Sequence, residues 1–208
     1  MLLKKMKTAV MEGEIDEVIA YVEEALEQGT DPIDILEQGL VAGMDEVGQR
    51  FKSGNMFVPE VLMAANAMQA GNDLLKPLMV GNARKTKGKI VIGTVEGDLH
   101  DIGKKIVGMM LEGAGYEVID LGIDVTPERF IGALEESQAD AVGMSAMLTT
   151  TMTVMKKVTD ILKEKESLKD VKIMIGGAPV TPAYAEQIGA KFSYDAPSAV
   201  ELANTLMG

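Results

Sequence analysis

The sequence predicts an α/β fold in which a helical bundle precedes a parallel sheet, and three observations predict it. From residue 89 onward, short apolar runs alternate with amphipathic stretches of helical period. Before residue 81 only the helical period occurs. Between them, Gly81-Asn82-Ala83-Arg84-Lys85-Thr86-Lys87-Gly88 has no apolar residue beyond alanine and is bounded by glycines, which reads as a linker. The expected organisation is a helical bundle over 1–80, a linker over 81–88 and an α/β domain over 89–208.

In the bundle, a first helix is expected over about 2–11. Ile15, Val18, Ile19, Val22 and Leu26 mark the apolar face of a second, which ends at Gly29. Asp31-Pro32 is an N-cap followed by proline at the first helical position. From there Ile33, Leu36, Leu40, Met44, Val47 and Phe51 run down one face of a third helix, closed by Gly54. A fourth starts near Pro59 and continues to about Val80. Its first half, with Val61, Leu62, Met63, Ala64, Ala65, Ala67, Met68 and Ala70, leaves little polar face, so it must be covered on more than one side. A tight bundle, a dimer seam or a flat apolar ligand would each cover it.

In the second half, strands are expected at about 89–95, 116–121, 140–145, 171–175 and 191–194, and helices at about 103–113, 126–137, 151–166, 181–188 and 196–207. Five β/α units imply right-handed crossovers and a Rossmann-like sheet, with the flavodoxin-like order 2-1-3-4-5. That order makes strands 1 and 3 neighbours at the switch point. The loops after strands 1, 3 and 4 then line one cleft.

Composition narrows the chemistry. With no cysteine among 208 residues, disulfides, zinc ribbons and thiol nucleophiles are excluded. No apolar run approaches 18 residues, so no membrane segment is expected. The amino terminus leads into an acidic helix and not a signal-peptide core, which predicts a cytoplasmic protein. The net charge of −12 is spread over both halves, with 9 basic and 14 acidic residues in 1–87 and 11 and 18 beyond. Without a basic stripe, and with few aromatics, nucleic acid is a poor partner.

The only histidine lies in Gly97-Asp98-Leu99-His100-Asp101-Ile102-Gly103, on the loop after strand 1. Asp98 stands two residues before it, close enough to accept a ring N–H and fix the tautomer, as the partners of metal-bound imidazoles do. Gly103 would let a large ligand approach the backbone. A solvated loop histidine with acidic neighbours fits this spacing equally well.

Asp98-x-His100-x-x-Gly103 resembles the cobalamin-binding signature of methionine synthase and of the corrinoid proteins that serve methanol and methylamine methyltransferases. Two further loops carry the resemblance: Ser145-Ala146-Met147-Leu148-Thr149-Thr150-Thr151-Met152 is similar to that family's Ser-x-Leu loop, and Ile175-Gly176-Gly177-Ala178-Pro179 to its Gly-Gly loop. The three blocks occur in order, each after an expected strand, and cover roughly residues 88–208. One departure is that Met147 replaces the leucine of Ser-x-Leu, a pliable apolar substitute of similar volume.

The resemblance implies a cobalamin or related corrinoid held base-off, with His100 as lower axial ligand to its cobalt. It implies Asp98 hydrogen-bonded to the imidazole and Ser145 extending that relay toward solvent. Leu99, Asp101, Ile102, Gly103, Met147, Leu148 and Thr149 would line the cofactor, and Gly176 and Gly177 would admit its nucleotide tail. Thr149 could equally be the N-cap of the following helix. The four-helix cap of that family lies over the upper corrin face. The implied function is a methyl carrier serving a substrate-specific methyltransferase, a second methyltransferase with a thiol or tetrahydrofolate acceptor, and a reductive activase. The chain would have no complete active site of its own.

Other tenants of the fold fit less well. A phosphoacceptor receiver needs an aspartate where Ser145 stands, a flavodoxin needs a hydroxyl-rich phosphate loop where Glu96-Gly97-Asp98 is acidic, and G-x-G-x-x-G is absent. One histidine with scattered carboxylates is a weak zinc set. A mutase subunit would attach to a barrel and not a helical cap. A regulatory cobalamin-binding module is the remaining alternative, and it lacks a DNA-reading output helix.

Overall fold

The computed structural model describes residues 1–79 and 86–208. The described chain divides into a helical unit within residues 1–85 and an α/β unit that begins at Thr86. Val80, at the expected end of the fourth helix, and residues 81–85 of the expected linker lie outside the described residues.

In the helical unit, α1 (Leu2–Glu12) packs on α2 (Ile15–Glu27) and α4 (Ala42–Lys52), and α2 packs on α5 (Val58–Leu75). Close approach of α1 and α4 requires Gly43, where a Cβ would stand 2.8 Å from Val10 Cβ. The Asp31 carboxylate accepts the Ile33 N–H at 2.8 Å and Pro32 follows, so α3 (Pro32–Asp34) starts as expected.

The third helical stretch differs from a plain α-helix. Ile35–Val41 is wound as a π-helix between α3 and α4. The wider turn displaces the apolar face, leaving Ile33 36 % exposed while Ile35 is fully buried beside Leu36, Leu40, Met44 and Val47. Helix α5 gives way to a 3-10 turn, Lys76–Met79. Val61, Ala64, Ala65, Ala67 and Met68 are buried, whereas Met63 stays half exposed. Among the described residues no helix is long and apolar enough to cross a membrane.

The α/β unit alternates β1 (Lys89–Thr94), α6 (Ile102–Gly113), β2 (Glu117–Asp120), α7 (Pro127–Ser137), β3 (Ala141–Ser145), α8 (Met152–Glu164), β4 (Lys172–Gly176), α9 (Pro182–Ile188), β5 (Lys191–Phe192) and α10 (Ala196–Met207). All five strands are parallel, in the order β2-β1-β3-β4-β5. This is the expected order, and each described strand lies within two residues of its expected ends. Burial on both faces explains the unbroken apolar runs: Ile90, Val91 and Ile92 of β1 are all buried, worth about 1.5–3 kcal/mol each.

Helices α7, α9 and α10 each begin with a capping side chain followed within two positions by proline. Thr126 accepts from the Arg129 N–H, Thr181 from the Tyr184 N–H and Asp195 from the Ser198 N–H. These caps end the loops at defined points. The register then levels the loop origins, because Thr94 pairs with Ser145 and Ser145 with Gly176. Three loops therefore leave the sheet side by side from one row.

Candidate functional site

Asp98 lies on the first of these loops, four residues beyond Thr94. Its side chain is fully buried, while the His100 side chain beside it is 57 % exposed. Asp98 Oδ1 lies 2.7 Å from His100 Nδ1 and accepts the His100 backbone N–H at 3.1 Å. Asp98 Oδ2 accepts the Met147 backbone N–H at 2.7 Å and lies 3.0 Å from the Thr151 hydroxyl. One carboxylate thus joins the loop after β1 to the loop after β3.

The electrostatics follow from these contacts. Burial raises the pKa of Asp98, but the hydrogen bonds from Met147, the His100 ring and backbone, and Thr151 together outweigh it and bring the group down to about 2. An ionised carboxylate only accepts, so the proton of a neutral imidazole must sit on Nδ1. Nε2 then carries the lone pair, on a ring open to solvent. Thr94, buried at the end of β1, fixes the backbone beneath by donating from Oγ1 to the His100 carbonyl at 2.8 Å.

Exposed apolar side chains occupy the same edge of the sheet as the ring. Leu99 (68 %) and Ile102 (71 %) after β1, Ile123 after β2, Met147 and Leu148 after β3, and Tyr194 after β5 are the large exposed hydrophobics described in this unit. Every one of them lies at the carboxyl edge of the sheet. Exposed large apolar side chains confined to one edge of the sheet mark a candidate binding face. At Gly103 a Cβ would meet nothing within 4 Å, so the first turn of α6 presents bare backbone to that face.

The remaining expected residues fall as follows. Asp101 is ion-paired with Lys105 at 2.5 Å on the outer side of α6. The Ser145 carbonyl accepts the Val95 N–H at 3.0 Å, but the Ser145 hydroxyl is not among the donors to Asp98; Thr151 takes that place. The reason is reach: Ser145 is still in the strand, whereas the turn after β3 brings residue 151 back over the carboxylate. Thr149 is exposed and does not cap α8, whose N-cap position is Thr151. Met147 also links to the third loop, its thioether accepting the Ala178 N–H at 3.5 Å. Gly177, with φ +121°, sits so close that a Cβ would lie 1.9 Å from the Ala146 carbonyl oxygen. Thr151 was legible only as one of three consecutive threonines, with nothing local to single it out.

Among the described residues no group of three or more His, Cys, Asp and Glu side chains could hold a metal ion by itself. A single imidazole on a buried carboxylate leaves Nε2 as one open donor nitrogen at this edge. The fold and site therefore define an α/β protein that presents one donor imidazole at the carboxyl edge of its sheet.

Comparison with known proteins specifies a cofactor class. Two family models, each described as a B12 binding domain, match residues 88–202 and 2–76. A dimethylamine corrinoid protein of Methanosarcina barkeri is 49 % identical over 209 residues, covering 99 % of this chain and 97 % of that protein. A corrinoid protein of Desulfitobacterium hafniense (strain Y51) is 43 % identical over 211 residues, 100 % of this chain and 98 % of the relative. The crystal structure of the methanol:cobalamin methyltransferase complex MtaBC from Methanosarcina barkeri matches with a TM-score of 0.91 at 35 % identity, covering 99 % of this chain and 79 % of that one. This chain belongs to the family of B12-binding corrinoid proteins.

Proposed function

We propose that this chain is a corrinoid methyl carrier in which His100 Nε2 is the lower ligand to cobalt and the cofactor's own base is displaced. The observation that carries this reading is the commitment of Nδ1 to Asp98, which leaves Nε2 as the donor nitrogen on an exposed ring. The residues fit the group: an apolar edge, bare backbone at Gly103 and a tautomer set by a buried anion. Bound there, the corrinoid supplies the cobalt that accepts and releases the methyl group.

The chain's own residues tune and shield. Asp98 holds the imidazole in the donor tautomer and strengthens its donation. The Thr151 hydroxyl has two acceptors in reach, Asp98 Oδ2 at 3.0 Å and the Leu148 carbonyl at 2.9 Å. It donates to Asp98 when the carboxylate is ionised. When Asp98 takes up a proton, the same hydroxyl accepts from it and donates to Leu148. Thr151 thereby serves both protonation states without an unsatisfied group. Leu99, Ile102 and Leu148, exposed at the same edge, would be covered by the bound cofactor and exclude water there.

In this reading a substrate-specific methyltransferase supplies the methyl group and a second methyltransferase receives it, with a thiol or tetrahydrofolate acceptor, while a reductive activase restores the reduced cofactor. The dimethylamine and methanol systems of the relatives support a small methylated substrate held by the partner. Reconstituting uniformly 15N-labelled protein with hydroxocobalamin, reducing to cobalt(II) and recording the EPR spectrum tests the ligand. A protein nitrogen splits each line into two, and the cofactor's own unlabelled base splits it into three. The two-line pattern, lost in His100→Ala, is expected; a three-line pattern in the wild type would refute base-off ligation.

A further inference from the structure

The loop bearing the histidine is braced from a second side, by the turn after β2. Val95 and Val125 form an isolated parallel bridge, the Glu96 N–H donates to the Val125 carbonyl at 2.9 Å, and the Val125 N–H donates to the Thr94 carbonyl at 3.0 Å. One residue of this turn then reaches further along the loop. The Asp124 carboxylate accepts the Gly97 N–H at 2.7 Å, and the Asp124 N–H donates to the Asp98 carbonyl at 3.1 Å.

Asp124 achieves both bonds from a left-handed backbone, φ 53°. Only two non-glycine residues of the described chain have positive φ, and the other, Gln138, ends a helix at the opposite edge of the sheet. Aspartate and asparagine tolerate this conformation because a short polar side chain bonds locally. The turn itself is pinned where it leaves the sheet: buried Lys104 is ion-paired with Asp120, which also accepts the Gly122 N–H at 2.9 Å. A strained residue held on a braced turn, and bonded to both neighbouring positions of the metal-ligand loop, is placed to fix the loop's geometry.

We propose that Asp124 is a positioning residue for the lower ligand: by clamping Gly97 and Asp98 it holds the His100 imidazole at the height at which it bonds the cofactor's metal. This rests on the corrinoid reading of the site. Its physical content is that the carboxylate oxygen matters as a hydrogen-bond acceptor, and its charge does not. Asp124→Asn keeps an acceptor oxygen and tolerates the left-handed backbone. Asp124→Gly relieves the backbone strain and keeps the N–H to Asp98, but loses the acceptor for Gly97.

The test reconstitutes full-length wild type, D124N, D124G and H100A with hydroxocobalamin, each 15N-labelled. It measures the fraction of the cobalt(II) EPR signal split into two lines and the rate at which bound colour is lost on dialysis. D124G is expected to lose colour roughly fivefold faster, the effect of one hydrogen bond, with a smaller two-line fraction. D124N should restore most of both. Wild-type behaviour in D124G would overturn the proposal, as would D124N failing as badly as D124G, which would mark charge as the operative property. Failure of the underlying reading looks different: wild type itself would then show no two-line signal, or H100A would keep it.

Discussion

The Thr151 hydroxyl lies 3.0 Å from Asp98 Oδ2, across the carboxylate from the oxygen that holds His100. Fifty-three residues separate the two in sequence, and both are buried. The imidazole is thus only the exposed end of a polar chain that runs inward through Asp98 to the turn before α8.

Removing the inner end should be felt at both levels. Thr151→Val keeps the shape but strips the hydroxyl, leaving Oδ2 with the Met147 N–H alone, and is expected to cost about 1 kcal/mol in urea unfolding. Thr151→Ser should recover most of that loss. Equal stability of the valine and serine variants would show that the hydroxyl contributes nothing.

Acid should weaken the fold through Asp98. Its pKa is about 2 in the folded chain and about 3.9 in an unfolded one. A depressed carboxylate pKa adds stability that is complete above about pH 4 and disappears as pH falls toward 2. Allowing for solvent around the loop, the contribution is on the order of 1–2 kcal/mol. Urea titrations of wild type and Asp98→Asn should differ most at pH 7 and converge in acid; a constant gap would contradict the assignment.

Two glycines of the site should respond oppositely to alanine. Gly177→Ala drives a methyl group into the Ala146 carbonyl at a φ of +121° and should destabilise the chain by roughly 3 kcal/mol or more. Gly103→Ala adds a methyl group to open space and should leave unfolding of the unloaded chain unchanged or improved. Corrinoid retention on desalting should nevertheless fall in Gly103→Ala, since the methyl group projects from the ligand face.

The apolar edge should be dispensable for folding and needed for binding. Leu99→Ser and Ile102→Ser remove side chains that are about two-thirds exposed, so melting temperatures should stay within experimental error of wild type. Hydroxocobalamin should dissociate about tenfold faster from each, matching the burial of one aliphatic side chain against a ligand. Unaltered dissociation would place the cofactor elsewhere.

The sheet was legible because a parallel strand buried on both faces must be written as an unbroken apolar run, as Ile90-Val91-Ile92 is. His100 and Asp98 were legible for the same local reason, two residues apart on one loop. What was not legible was longer in range. The π-helical winding at Ile35–Val41 depends on how α1 packs on it, so the periodicity assigned Ile33 to a face that Ile35 occupies. Ser145, at the end of its strand, was expected to extend the relay from Asp98; the hydroxyl bonded to Asp98 is that of Thr151, and the return of the backbone that brings it there is a property of the turn and of no single residue. Asp124 gave no signal, since its left-handed backbone arises only when the β2 turn meets the histidine loop.

In the pair formed by Asp98 and His100 the carboxylate is buried and the imidazole is exposed. Folding is therefore expected to depend more on position 98, whose carboxylate joins two loops, than on position 100, whose exposed ring meets that carboxylate through one nitrogen. An amide, a thioether or a phenol installed there would face the same open edge above the same anion. A change at position 100 would therefore alter what this edge presents and leave the anchoring carboxylate in place.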